Sequence, residues 1–163
     1  LPTVAKIDGP AVGAGANLAI ACDVQLASER AAVGFVFRQV GLTVDAGSSY
    51  LLPRLVGENV AKELVFTGEI FDAERAADLG LVNHVYPDDE FDERADEFVG
   101  EIADGPTVAL GQAKKLLGTG PEKSLRQALR DEANAQGLVF GSRDHEEGVE
   151  AFLEGREPSF EGR

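Results

Sequence analysis

The chain has 163 residues, enough for one domain with a substantial core and too few for two large ones. Its 15 Lys and Arg against 29 Asp and Glu leave a formal charge of −14, which disfavours nucleic acid and anionic membrane surfaces as partners. Hydrophobic residues at 44% and charged residues at 27% describe a globular chain rather than a disordered one, and no stretch approaches the ~20 continuous apolar residues of a membrane span.

The single cysteine, Cys22, has no partner for an internal disulfide, so a cytoplasmic setting is expected. The chain lacks Met and opens Leu1-Pro2-Thr3-Val4 within an apolar run. That opening does not read as a secretory leader, and the chain is expected to be the C-terminal part of a longer one. The acidic run Asp88-Asp89-Glu90-Phe91-Asp92-Glu93 reads as a solvated helix face. The large negative charge also fits a salty cytoplasm, where self-repulsion is screened; unchanged stability between low and multimolar salt would contradict this.

In chain order, Val4 to Asp8 predicts a strand that ends at the turn signal Gly9-Pro10. Gly13-Ala14-Gly15 then opens a small-residue helix, Ala16 to Cys22, expected to be buried with Cys22 as a small apolar side chain within it. Asp23 to Ala27 alternates as a strand, and Ala32 to Phe35 is a second candidate. Gly41 to Gly47 is a loop, followed by a helix over Ser48–Val56 that Pro53 should kink or end. Val60 to Phe66 and Asp72 to Leu79 are helical, the second with Asp72 as N-cap and Gly80 as its stop. Leu81 to Tyr86 reads as a strand. Beyond Asp88 the period is helical: Phe91, Ala95, Phe98 and Ile102 form one stripe, and further helices follow over Val108–Leu117, Leu125–Val139 and from Ser142 and Asp144 to Leu153. The fold class is α/β at first and all-helical afterwards.

Few residues suggest chemistry. His84 and His145 lie in unrelated contexts with no partner at ligand spacing, so no metal site is expected. No Gly-x-Ser-x-Gly elbow is present. Gly13-Ala14-Gly15 starts a dinucleotide fingerprint, but Leu18 stands where a third glycine is needed. The same glycines leave backbone N–H groups unpaired at a helix start, where they could hold a developing oxyanion; close packing of strand on helix explains them equally well. Asp45, after Gly41-Leu42-Thr43-Val44, reads by itself as an N-cap for the following helix. A catalytic role requires instead that it face an apolar pocket.

Taken together, Ile7-Asp8-Gly9-Pro10-Ala11-Val12-Gly13-Ala14-Gly15-Ala16-Asn17-Leu18-Ala19, then Ala21-Cys22-Asp23, resemble the signature of the crotonase (enoyl-CoA hydratase/isomerase) superfamily. So do Gly41 to Gly47 running into Leu52-Pro53-Arg54-Leu55-Val56-Gly57, then Thr67-Gly68-Glu69 and Ala76-Ala77-Asp78-Leu79-Gly80-Leu81-Val82-Asn83. Ser142-Arg143-Asp144, Glu147-Gly148-Val149, Ala151-Phe152 and Pro158 with Phe160 resemble the family's closing pattern. The likeness covers essentially the whole chain.

The resemblance implies a crotonase-like ββα spiral core over residues 1–104, with its N-terminal half absent, and a helical oligomerisation region over 105–163. It implies an acyl-CoA thioester as substrate, coenzyme A as its handle, no metal or redox cofactor, and assembly as trimers or dimers of trimers. Family hydratases use two glutamates, which would fall on Asn17 and Phe37; neither is a carboxylate here. The acidic residue at Asp45 is similar to that of PaaG-type isomerases of phenylacetate degradation and of 4-chlorobenzoyl-CoA dehalogenase. Gly13-Ala14-Gly15-Ala16 and Leu51-Leu52-Pro53-Arg54 look more like the isomerases. Ser49-Tyr50 and Val85-Tyr86-Pro87-Asp88-Asp89-Glu90-Phe91 look more like the dehalogenase, in which an aromatic ring lines the benzoyl pocket at the Phe37 place. That subgroup's tryptophan is absent. By resemblance, then, Asp45 and the Ala14 N–H are the expected catalytic groups, and Gly13, Gly15, Asn17 and Phe37 line the substrate. The runner-up readings are Asp45 as a nucleophile on an aryl ring, or a catalytically silent acyl-CoA-binding subunit.

Overall fold

A computed structural model describes all residues 1–163. The chain divides into two compact units: one is Thr3–Glu97, the other Leu1–Pro2 with Phe98–Arg163.

In the first unit the first four strands come as two consecutive pairs, each followed by helical structure, and the last two flank a helix. The order is β1 (Val4–Ile7), β2 (Pro10–Val12), α1 (Ala14–Ile20), β3 (Val24–Ser28) and β4 (Ala32–Gly34). A 3-10 turn over Val36–Val40 follows, then α2 (Ser48–Val56), α3 (Glu58–Thr67), β5 (Ile70–Asp72), α4 (Ala73–Asp78) and β6 (His84–Tyr86). The strands sort into two three-stranded sheets. In β1-β3-β6 every pairing is parallel; in β2-β4-β5 the first pairing is parallel and the second antiparallel. Parallel neighbours require crossovers, so the chain rises as a spiral of ββα turns.

The core sits between these turns. Leu26, Phe35, Leu52, Leu64 and Leu81 are fully buried, with Ala16, Ala27 and Ala76 where helix and strand backbones come close. Gly34 marks such an approach: a Cβ there would lie 3.0 Å from the Glu69 carbonyl oxygen and 3.0 Å from Ile70 Cγ1. A side chain on β4 would push β5 out of register. The buried Gln25 secures the other end of α1, donating to the carbonyls of Ala19 (3.0 Å), which also accepts from the Cys22 N–H, and of Cys22 (2.8 Å).

The second unit is helical. It holds the rest of α5 (Phe91–Ala103), which starts in the first unit, and α6 (Thr107–Thr119), α7 (Leu125–Val139) and α8 (Arg143–Glu154). Helix α7 starts with a capping box between Ser124 and Gln127, and the Ser142 side chain caps α8 by accepting from the His145 N–H. The chain end folds back on α8. The buried Asp144 carboxylate accepts from the N–H groups of Glu161 (2.7 Å) and Gly162 (3.0 Å), and Glu147 accepts from the Ser159 N–H at 2.8 Å.

Most expected elements are present, with several corrections. Strand β1 ends before Gly9-Pro10 and the chain bends at Gly9, as expected, but Pro10 also begins a strand that was not expected, β2, where a strand's first residue needs no donor. The segment over Val36–Val40 is a 3-10 turn and Ile70–Asp72 a strand, neither expected. Helix α2 continues through Pro53 to Val56. The strand expected from Leu81 begins at His84, because the Leu81 N–H donates back to Ala76 and ends α4 instead. Cys22 lies past the end of α1 and is half-buried, and Leu18 on that helix is 72% exposed, so α1 is not covered on every side. Asp72 caps α4 as expected, accepting from the Arg75 N–H at 2.9 Å.

Candidate active site

The site candidates gather where α1 begins. Gly13 takes φ 55°, a left-handed backbone that suits glycine, and its N–H donates to the Gly34 carbonyl at 2.8 Å. That bond fixes the corner from β2 into α1. The first α1 amide to find a carbonyl is that of Asn17, on Gly13 at 3.1 Å. The N–H groups of Ala14 and Gly15, both exposed residues, have no acceptor in the chain. Two donors are thus presented together at a helix start.

Phe37 is buried on the 3-10 turn, and its ring lies 3.9 Å from where a Gly13 Cβ would stand. Its carbonyl accepts from the Leu42 N–H at 3.0 Å, which ties down the start of the loop that carries Asp45. The structure therefore brings Phe37 to Gly13 and, through one backbone bond, to the Asp45 loop.

Asp45 meets α1 through Asn17. The fully buried Asn17 donates its side-chain N–H groups to the Asp45 carbonyl at 3.0 Å and to Asp45 Oδ1 at 3.2 Å. The N-cap reading of Asp45 is corrected. The cap of α2 is Gly47, with no side-chain cap bond, and only the Asp45 carbonyl reaches the helix, accepting from the Ser48 N–H at 2.9 Å. The carboxylate is left for other use. Asp45 itself is an exposed residue of this chain, so the apolar enclosure that catalysis requires is not supplied around it by these residues alone. A pocket of about 650 Å³ opens between the preceding loop residues and helices α2 and α3, lined by Val44, Leu52, Ala61 and Phe66 but also by Arg54, Glu58 and Lys62; Asp45 is not part of its wall.

Two features were not expected. Ala46 has φ 45°, a left-handed backbone in a non-glycine residue, and Gly47 follows at φ 86°. Gly34, which receives the Gly13 N–H, was read only as part of a strand. No composition or spacing signal marks either; both follow from tertiary placement.

Elsewhere, His84 stacks on Tyr86 with ring centroids 6.0 Å apart, and His145 meets Phe140 edge-on at 4.7 Å. No group of three or more His, Cys, Asp or Glu is arranged to hold a metal ion, and no helix is long and apolar enough to cross a membrane.

The comparisons with known proteins agree with this architecture. The profile of the family described as enoyl-CoA hydratase/isomerase matches residues 1–163. A Rhodobacter capsulatus protein named probable enoyl-CoA hydratase is 41% identical over 163 residues, covering 100% of this chain and 63% of its own length. An enoyl-CoA isomerase/hydratase of Mycosarcoma maydis is 35% identical over 164 residues, covering 100% of this chain and 60% of its own. The solved enoyl-CoA hydratase of Bacillus anthracis superposes with a TM-score of 0.94 at 36% identity, over 99% of this chain and 63% of that one. The chain thus spans about three fifths of the length of these relatives. A full-length profile match and a shared fold at this identity place the chain in the enoyl-CoA hydratase/isomerase family.

Proposed function

We propose that this chain carries the reaction centre of an enoyl-CoA isomerase, with Asp45 as its one acid–base group and the Ala14 N–H as one oxyanion donor. The observation that carries this reading is the seat of the Asp45 carboxylate, held by Asn17 on the same short helix whose leading amides have no acceptor. The family supplies the substrate class, an acyl-CoA thioester with coenzyme A as its handle; the chemistry needs no metal or redox cofactor.

A 3-enoyl thioester enters with its carbonyl oxygen at Ala14. Asp45 removes a proton from C2; the C–H electrons become the C1–C2 double bond of an enolate whose oxygen takes the charge. Such an anion is accessible only when donors are already aimed at the oxygen, and losing one donor typically costs 10²–10³ in rate. The electrons then return to form C2=C3 as C3=C4 opens, and C4 takes the proton back from Asp45. One carboxylate suffices because it is base in the first step and acid in the second. The pocket lined by Val44, Leu52, Ala61, Val65 and Phe66, with Arg54, Glu58 and Lys62 also on its wall, has room for part of the substrate. Assembly as a trimer or dimer of trimers would be the means of closing water away from Asp45.

Hydration is disfavoured on this reading because, by family resemblance, the two hydratase glutamates would fall on Asn17 and Phe37, which offer no pair of carboxylates to position and activate water. Assay with a 3-enoyl-CoA tests the reading. The expected product is the conjugated 2-enoyl-CoA, and Asp45→Asn should lower its formation at least ~100-fold, the usual worth of a general acid–base group. A 3-hydroxyacyl-CoA product, halide release from 4-chlorobenzoyl-CoA, or acyl-CoA binding without turnover would each replace it.

A further inference from the structure

Resting on the isomerase reading, we propose that Asn17 is a positioning residue that fixes which oxygen of Asp45 moves the proton. Its side-chain nitrogen carries two hydrogens, and the structure gives it two acceptors on one residue: the Asp45 carbonyl at 3.0 Å and Asp45 Oδ1 at 3.2 Å. Both partners are acceptors, so the nitrogen must be the atom facing them. The first bond holds the loop backbone, the second holds the carboxylate rotamer. With Oδ1 occupied, Oδ2 is the oxygen that takes the proton from C2 and gives it to C4, so both transfers use one atom from one position.

Two further observations make the clamp more than packing. Asn17 is 0% exposed, and its own Oδ1 has no partner in the chain. A buried amide with an unsatisfied acceptor is a poor choice for stability alone; an apolar residue of that size would cost less. The backbone just beyond Asp45 is also strained, with Ala46 at φ 45°, the one non-glycine residue of the chain with positive φ. Strain of this kind persists where surrounding bonds over-determine the conformation. Here the Asp45 carbonyl is held by both Asn17 and the Ser48 N–H.

The test is a mutant cycle in the protein as its source organism makes it, assayed on a 3-enoyl-CoA. Asn17→Leu keeps the branched shape, in a somewhat larger side chain, and removes the donor; Asn17→Ala repeats the test if Leu prevents folding. Either should lower kcat by 10- to 100-fold with KM within about threefold, the usual cost of misplacing a reacting group by about an ångström. Because Asn17 acts through Asp45, the double variant Asn17→Leu, Asp45→Asn should be no slower than Asp45→Asn alone. A structural role would instead add to the Asp45→Asn loss or fall on KM or Tm. Additive losses, or an unchanged kcat, would overturn the positioning role. An Asp45→Asn protein as active as the wild type would overturn the isomerase reading itself, so the two failures are distinguishable.

Discussion

The two units of the chain are held together by different means. Thr3–Glu97 contains the large buried side chains: Phe35, Leu52, Leu64 and Leu81 share one core cluster, and Leu26 and Phe91 are buried outside it. Phe98–Arg163 buries little beyond Ala135, Asp144 and Ala151, and leaves Leu117, Leu125, Phe140, Phe152 and Leu153 largely exposed. Its helices are ordered by caps and by carboxylates that hold the returning chain end. The contrast shows where precise geometry can be kept. The site candidates all lie in the unit with its own core, because orienting a carboxylate against a helix start needs a scaffold that does not shift.

Substitutions can break or sharpen this contrast. The largest effect is expected at Phe35: Phe35→Ala should destabilise the first unit by about 3–5 kcal/mol in urea denaturation. A loss under about 1 kcal/mol would mean that the core does not depend on it. Next comes Asp144→Ala in the second unit, which strands the amides of Glu161 and Gly162 and should cost about 1–3 kcal/mol. Loss of hydrogen-exchange protection confined to Glu157–Arg163 would accompany it.

A milder effect is expected from acid. Arg156 and the Ser159 N–H hold the Glu147 carboxyl down to about 2, below its ordinary 4.5. A carboxyl depressed in the folded state stabilises above its unfolded value and loses that contribution as pH falls through the folded one. Protection of the Ser159 N–H should therefore survive at pH 5 and disappear between about 4.5 and about 2. The smallest effect belongs to Phe152, 84% exposed: Phe152→Ser should change stability by less than about 0.5 kcal/mol. A cost above about 1 kcal/mol would show that another surface covers it.

How much was legible in the sequence follows the same division. The long helices were readable, Leu125–Val139 to the residue, because a 15-residue amphipathic run carries its own period. The strands Pro10–Val12 and Ile70–Asp72 were not, since three residues cannot show alternation and their pairing is set by residues far along the chain. Gly9-Pro10 marked the end of β1 and the bend after it, but gave no sign that Pro10 opens a second strand.

The site divides likewise. Gly13-Ala14-Gly15 before a helix announced free amides from local pattern alone. Asp45 was locally ambiguous between cap and catalyst, and only the position of Gly47 at the α2 cap removes the first option. The contact between Asn17 and Asp45 joins residues 28 positions apart and has no local signature. Asn17 drew notice through family resemblance, as the place of a missing glutamate, not as the partner of Asp45.

The central claim is that one carboxylate performs both proton transfers. Proton NMR of a 3-enoyl-CoA in D2O, with wild-type protein and with Asp45→Asn at equal folded concentration, tests it most directly. The account predicts that the wild type moves the double bond and carries hydrogen from C2 to C4 even in D2O, while the variant forms the 2-enoyl product at least ~100-fold more slowly. Product formation by Asp45→Asn at the wild-type rate would place the base elsewhere and contradict it.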